Sequence, residues 1–261
     1  MSAQTATIAG IGFWGDGLPD WASARAFAGS GVLPADAPAK PAPQLLAPNE
    51  RRRAPPSVLV ALEVALAACH DAGRDAASLP SVFASTHGDL GITDYMCATL
   101  AQAPTDISPT KFHNSVHNAA AGYWTIGAGC MRTTTAISAH RASFAQGLLE
   151  AMTQLAGDAD AVLLVGYDTT ASGLLASVTR SDGLLGAALV LAREGDGPRL
   201  TASLDDGEAT AADGPLSRHL QGNAMAPMLP LFDALASGAG AGAIALAAGG
   251  GRRLVLDIAR G

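Results

Sequence analysis

Apolar runs of strand length alternate with helix-length stretches along most of this chain, and that alternation restricts the possible folds more than any single residue does. Residues 6–13, 81–85, 133–138, 161–165, 184–192, 199–204 and 254–259 are short apolar or β-branched runs that read as strands. Helical spacing marks residues 20–27, 57–71, 92–102, 115–126, 141–156 and 225–236. Ser57 is placed to cap the second of these helices and Gly73 to stop it, with Val60, Val64, Ala67 and Ala68 facing a core. The order predicts an α/β fold with a mainly parallel sheet covered by helices on both faces.

Two stretches fall outside the alternation. Residues 31–56 contain Pro34, Pro38, Pro41, Pro43, Pro48, Pro55 and Pro56. Each fixes φ and removes an amide donor, so an irregular surface loop is expected there. Residues 237–251 are rich in Gly and Ala and are expected as a flexible turn. The 261 residues are 49% hydrophobic and 15% charged, which supports a large core and excludes a disordered chain or a coiled coil.

Charge and cysteine usage exclude further classes. Net charge is −7, and Lys40 and Lys111 are the only lysines. The one basic cluster, Arg51, Arg52 and Arg53, is too short for the stripe that phosphate backbones require, so no nucleic-acid partner is expected. No membrane is expected either. The N-terminus has no leader pattern, and the apolar run 58–69 is broken by Glu63 and is shorter than the ~20 residues that span a bilayer. Cys69, Cys97 and Cys130 form no CxxC pair, which fits a cytoplasmic protein. Cys69 and Cys97 lie in apolar helical patterns and are expected to be buried and inert, and Cys130 has no paired base to ionise it.

Two familiar signals are weak. Gly10, Gly12 and Gly15 match a dinucleotide fingerprint, but Pro19 and the proline-rich loop occupy the place of the helix and acidic strand end that the motif needs, so a tight turn after the first strand is the favoured reading. His113 and His117 are four apart and could share a metal with His140 or His87, yet residue 114 is Asn where a zincin has its Glu, which favours capping and polar packing. No cofactor and no metal are therefore expected.

A collinear set of segments carries a stronger signal. Ile107-Ser108-Pro109, Asn118-Ala-Ala-Ala-Gly122, the run 133–138, the helix starting near His140, and Gly157-Asp-Ala-Asp-Ala-Val-Leu-Leu-Val-Gly166 together resemble the N-terminal half of β-ketoacyl synthases, which have the thiolase fold. Leu62-Glu63-Val-Ala-Leu66 running on to Asp71-Ala-Gly73 is similar to one more segment of that half, and Gly186-Ala-Ala-Leu-Val-Leu-Ala-Arg-Glu194 to another. The resemblance covers most of residues 1–195. It implies a single thiolase-like domain over 1–261, with residues 196–261 as a short strand–helix–strand extension in place of the family's C-terminal half.

In that family a cysteine at a sharp strand-to-helix turn accepts the acyl chain, its thiol acidified by the helix N-terminus. Counting back from Gly157 puts His140 at that position, within Ser138-Ala-His-Arg-Ala-Ser143, so the nucleophile is absent. His219 fits neither of the family's two histidine motifs. The resemblance therefore implies a non-catalytic subunit similar to the short chain length factors, especially those of aryl polyene and xanthomonadin-type pathways. Such a subunit forms a heterodimer with an active β-ketoacyl-ACP synthase and meets acyl carrier protein through the complex. The implied interface strand is Thr133, Thr134, Thr135, Ala136, Ile137 and Ser138, and the implied tunnel wall is Phe112, His113 and Val116, with Tyr95 and Met96 from the preceding helix. Two alternatives stay open: an autonomous acyltransferase or hydrolase using His140 with Cys130 or Ser138, and a nicotinamide enzyme resting on the three glycines.

Overall fold

The computed structural model describes residues 3–238 and 243–259. Its eight strands are β1 (Gln4–Gly15), β2 (Ser81–Ala84), β3 (Thr134–Ile137), β4 (Ala161–Asp168), β5 (Leu185–Ala192), β6 (Arg199–Asp206), β7 (Ile244–Gly249) and β8 (Arg252–Ala259). The α-helices are α1 (Trp21–Ser30), α2 (Pro48–Arg53), α3 (Pro56–Asp71), α4 (Leu90–Gln102), α5 (Pro109–His113), α6 (Ala119–Ala128), α7 (Ser143–Ala156), α8 (Pro215–His219) and α9 (Leu229–Ser237).

All eight strands join one sheet in the order β3-β2-β4-β5-β1-β6-β8-β7. The expectation of a mainly parallel sheet is wrong. Only β2 pairs in parallel, with β3 and β4, and the other five pairings are antiparallel. Parallel neighbours need a crossover, which the helices between β2 and β3 and α7 between β3 and β4 supply. β4 instead returns as β5 through residues 169–184, which hold no α-helix, so the chain reverses beside itself. Residues 237–251 also depart from expectation. Beyond the undescribed 239–242, Ile244, Ala245, Leu246 and Ala248 are buried in β7, so the extension holds a strand that its small residues hid.

Helices do cover both faces. β5 shows the two-residue period: Ala187, Leu189 and Leu191 enter one core with α7 and α9, while Ala188, Val190 and Ala192 enter the other with α3 and α6. α7 buries Phe144, Leu148, Ala151, Met152 and Leu155, one face of a 3.6-residue helix. α3 begins at Pro56 with no side-chain cap, and the hydroxyl of Ser57 donates to Asp89 at 2.9 Å rather than capping its own helix. Val60, Val64 and Ala68 are buried as expected, and Ala67 is half-buried.

Close contact between α3 and the sheet explains two of the three glycines, while the third, Gly15, opens the expected turn after β1 and exchanges backbone hydrogen bonds with Leu18 at 2.8 Å. β1 runs straight through Gly10 and Gly12, so neither marks a turn. A Cβ on Gly12 would lie 2.0 Å from the Val64 carbonyl oxygen, and one on Gly10 would lie 2.3 Å from that of Ala68. These glycines are therefore a packing device between strand and helix backbone, not a pyrophosphate cradle. Gly12→Ala is expected to lower unfolding free energy by about 3 kcal/mol in urea denaturation. The control Gly29→Ala, in α1 with no atom within 4 Å of its added Cβ, is expected to be neutral or slightly stabilising.

Candidate functional site

The C-terminal ends of β2 and β4 meet at a buried carboxylate. Asp168 closes β4 at 0% exposure. It accepts hydrogen bonds from the Ser85 hydroxyl at 2.7 Å, the Thr86 N–H at 2.9 Å and the His87 N–H at 3.2 Å. Burial raises its pKa above the ordinary carboxylate value, and the three donors pull it back. Ser85 Oγ in turn accepts from the Gly88 N–H at 2.8 Å, and Gly88 has φ of +65°, so residues 85–88 close into a tight turn. The Asn223 side-chain amide donates to the carbonyls of Asp168, Asp182 and Gly183, which ties the chain before α9 to the ends of β4 and β5.

That turn presents His87. Its half-buried ring places Nε2 2.7 Å from the Thr179 hydroxyl. Burial depresses its pKa most, the Asp168 carboxylate opposes this, and nearby His140 and His117 depress it further. Opposite lies the turn between β3 and α7, where His140 has φ of +53°, the only positive φ of a non-glycine among the described residues. The Ser143 hydroxyl holds this elbow by donating to the His140 carbonyl at 2.7 Å and accepting from the Ala139 N–H at 2.9 Å. His87, His140, Arg141, Thr179, Arg180 and Asn223 line one cavity of about 550 Å³.

A second, apolar cavity of about 670 Å³ lies over α5 and α6, lined by Phe112, His113, Val116, Tyr123 and Ile126. Phe112 is 63% exposed and Ile126 81%. Beside it β3 forms one edge of the sheet, and Met131, just before it, is 95% exposed.

Comparison with known proteins places this arrangement. Residues 21–247 match the family described as beta-ketoacyl synthase, N-terminal domain. The chain belongs to the β-ketoacyl synthase N-terminal domain family. Its fold is correspondingly the thiolase-like one. Among solved structures it is similar to a chain of the ketosynthase ApeO in complex with its chain length factor ApeC from Xenorhabdus doucetiae, with TM-score 0.72 and 21% identity over 98% of this chain and 97% of that one. It is also similar to a chain of the ishigamide ketosynthase/chain length factor, with TM-score 0.75 and 14% identity over 97% and 99%. A beta-ketoacyl synthase from Burkholderia phymatum STM815 matches with TM-score 0.61 and 16% identity, over 89% of this chain and 71% of that one. No curated protein matches the sequence.

In this synthase-family chain the expected residues separate into groups. Phe112, His113 and Val116 come together in the apolar cavity, but Tyr95 and Met96 do not line it. The Tyr95 hydroxyl instead accepts from the Ser108 N–H at 3.0 Å, and Lys111 Nζ lies 5.5 Å from its ring centroid. Thr134, Thr135, Ala136 and Ile137 form β3, with Thr133 and Ser138 flanking it. Cys130 is buried at the other end of β3 from His140, its thiol directed at the Leu79 carbonyl, and the Ser138 hydroxyl donates to the Thr86 carbonyl. Neither forms a dyad with His140. His117 Nε2 lies 2.9 Å from the Ser85 carbonyl and His113 packs against Tyr123, so the two histidines do not converge on a metal. His219 Nε2 lies 2.8 Å from the Asp16 carbonyl.

Burial pushes the Cys69 thiol up to about 12 and keeps it inert, whereas Cys97 is exposed, contrary to expectation, because its helix face looks outward from α4. No helix among the described residues is long and apolar enough to cross a membrane. Sequence reasoning missed Asp168, Thr179 and Asn223, since a lone Asp ending an apolar strand and polar residues in long loops show no periodic signal.

A depressed pKa means that His87 stays neutral in the folded chain where the unfolded chain already binds a proton. Its contribution to stability is thus complete above about pH 6.5 and is lost as pH falls through the folded pKa. Ring NMR resonances assigned with His87→Gln should titrate below the ordinary value of about 6.5. The stability of the parent relative to that variant should fall as pH is lowered across the same range.

Proposed function

We propose that this chain is a non-catalytic ketosynthase-like subunit, a chain length factor, that forms a heterodimer with an active β-ketoacyl-ACP synthase and shapes its acyl tunnel in polyene or polyketide-type biosynthesis. The observation that carries the reading is the contrast between the two sheet edges. At β7, Thr210 brackets Ala245, donating its N–H to the Ala245 carbonyl and accepting the Ala245 N–H on its hydroxyl, both at 2.8 Å. At β3 no described strand pairs with the outer side, and the exposed apolar Phe112, Val116, Ile126 and Met131 lie in the segment that leads into it. An open strand edge beside exposed apolar surface is a template for a protein partner.

His140 supports the non-catalytic part. It occupies a strained elbow between strand and helix, the kind of position from which the family's cysteine acts, but it brings an imidazole in place of a thiol. An acyl-imidazole hydrolyses too readily to hold a growing chain. Carrier protein, in this reading, is met through the complex and not by this subunit alone. The ketosynthase/chain length factor complexes among the similar structures support the same assignment.

Co-expression with an active synthase should give a one-to-one complex by native mass spectrometry; a chain that ignores every such partner would sink the reading. Ser81 and Ser85 donate their N–H groups to Thr133 and Ile137, so by the two-residue period the Ala136 N–H faces the open side of β3. Ala136→Pro should therefore weaken the complex at least tenfold while leaving the melting temperature of the chain nearly unchanged. Phe112 is largely exposed, so Phe112→Ala should cost under about 0.5 kcal/mol in stability. In the assembled complex it should shift products toward longer chains by mass spectrometry, as expected when a wall residue is removed.

A further inference from the structure

A third cleft, of about 920 Å³, opens between the proline-rich segment and α4–α5 and shares no lining residue with the His140 cavity. Lys40, Arg52, Arg53 and Lys111 line it, so both lysines of a chain with net charge −7 are gathered at one place. Among the described residues the only ion pairs are Arg252–Asp206 and Arg253–Asp205, far along the sheet, so none of these four cations has a carboxylate partner. Two acids, Asp89 and Asp16, also line the wall, and each holds a contact within the fold. Asp89 accepts from the Ile92 N–H and the Ser57 hydroxyl, and Asp16 accepts from the Leu184 N–H.

Two further features show a site and not merely a basic surface. Asn114 lines the cleft at 3% exposure, and its side-chain oxygen has no hydrogen-bond partner. A buried polar atom without a partner is unfavourable, a cost that a ligand donor removes. Lys111 is held in place by the Tyr95 ring 5.5 Å away, and the Tyr95 hydroxyl is fixed by the Ser108 N–H, so one cation is preorganised. Thr110 and Thr169 also line the cleft.

We infer that this cleft binds a small phosphate-bearing molecule, with Lys40, Arg52, Arg53 and Lys111 on the phosphate and Asn114 on a hydroxyl or amide of its remainder. Arg and Lys together give the forked and point-charge contacts that phosphate oxygens accept, and the volume suits a small organic ligand. All four cations are exposed, so their removal leaves the core intact.

The test is calorimetric titration of the purified full chain, alone or with its partner subunit, with inorganic pyrophosphate and with citrate as the carboxylate comparison. Saturable one-site pyrophosphate binding is expected, weakened at least tenfold by Arg53→Ala and by Lys111→Ala. Citrate should bind at least tenfold more weakly, and Arg132→Ala, outside the cleft, should change nothing. Absence of saturable pyrophosphate binding overturns the inference. So does equal binding of citrate, or equal weakening by Arg132→Ala, because either shows general charge attraction and not a phosphate site. Arg53 and Thr110 also line the apolar cavity assigned to the partner, so comparing binding by the chain alone with binding by the complex separates this inference from the heterodimer reading.

Discussion

The Asp168 carboxylate is the interaction on which the functional end of the molecule depends. Removing an ion from water costs several kcal/mol, and each hydrogen bond to a charged group returns about 1.5–3 kcal/mol, so three donors roughly balance the cost. The contact therefore contributes little net stability and much geometric definition. Its donors are consecutive residues, Ser85, Thr86 and His87, and they can reach one carboxylate only if the chain turns sharply on leaving β2. The position of the His87 ring and its bond to Thr179 follow from that turn.

Below this end, the sheet is organised by how closely each face can be approached. On the α3 face Gly10, Gly12 and Gly186 lack Cβ atoms where helix atoms sit, so helix and strand backbones come into contact. On the other face the separation is filled by large side chains, with Phe13, Trp21, Phe144 and Phe232 in tilted and edge contacts near 6 Å. One sheet thus carries a thin layer and a thick one, and the cavities open at their margins, where short helices and loops replace the covering layers.

The strands were legible in sequence because burial on both faces makes them continuous apolar runs, as in β4 and β5. Their directions were not, because direction is set by the connections, and residues 169–184 carry no periodicity from which to tell a hairpin-like return from a crossover. β7 was hidden because alanine and glycine satisfy turn and strand patterns equally. Gly10 and Gly12 of β1 were visible, but their reason lies in α3, more than 50 residues away in the chain. Of the candidate site, the elbow at His140 and the Phe112 cluster were found through resemblance to a family. The Asp168 turn needed the fold itself, since neither burial of an acid nor convergence of its donors is written in local sequence.

The two ends of the sheet are unequal in a way that bears on assembly size. Thr210 caps the outer side of β7, while β3 is left open. Among the described residues, β3 is therefore the edge better placed for strand addition. If β3 pairs with a neighbour that has a single open edge of its own, no template remains for a third chain, and growth stops at two. A subunit with two open edges would instead extend into a filament, so it is the number of unpaired edges that sets the size of such an assembly.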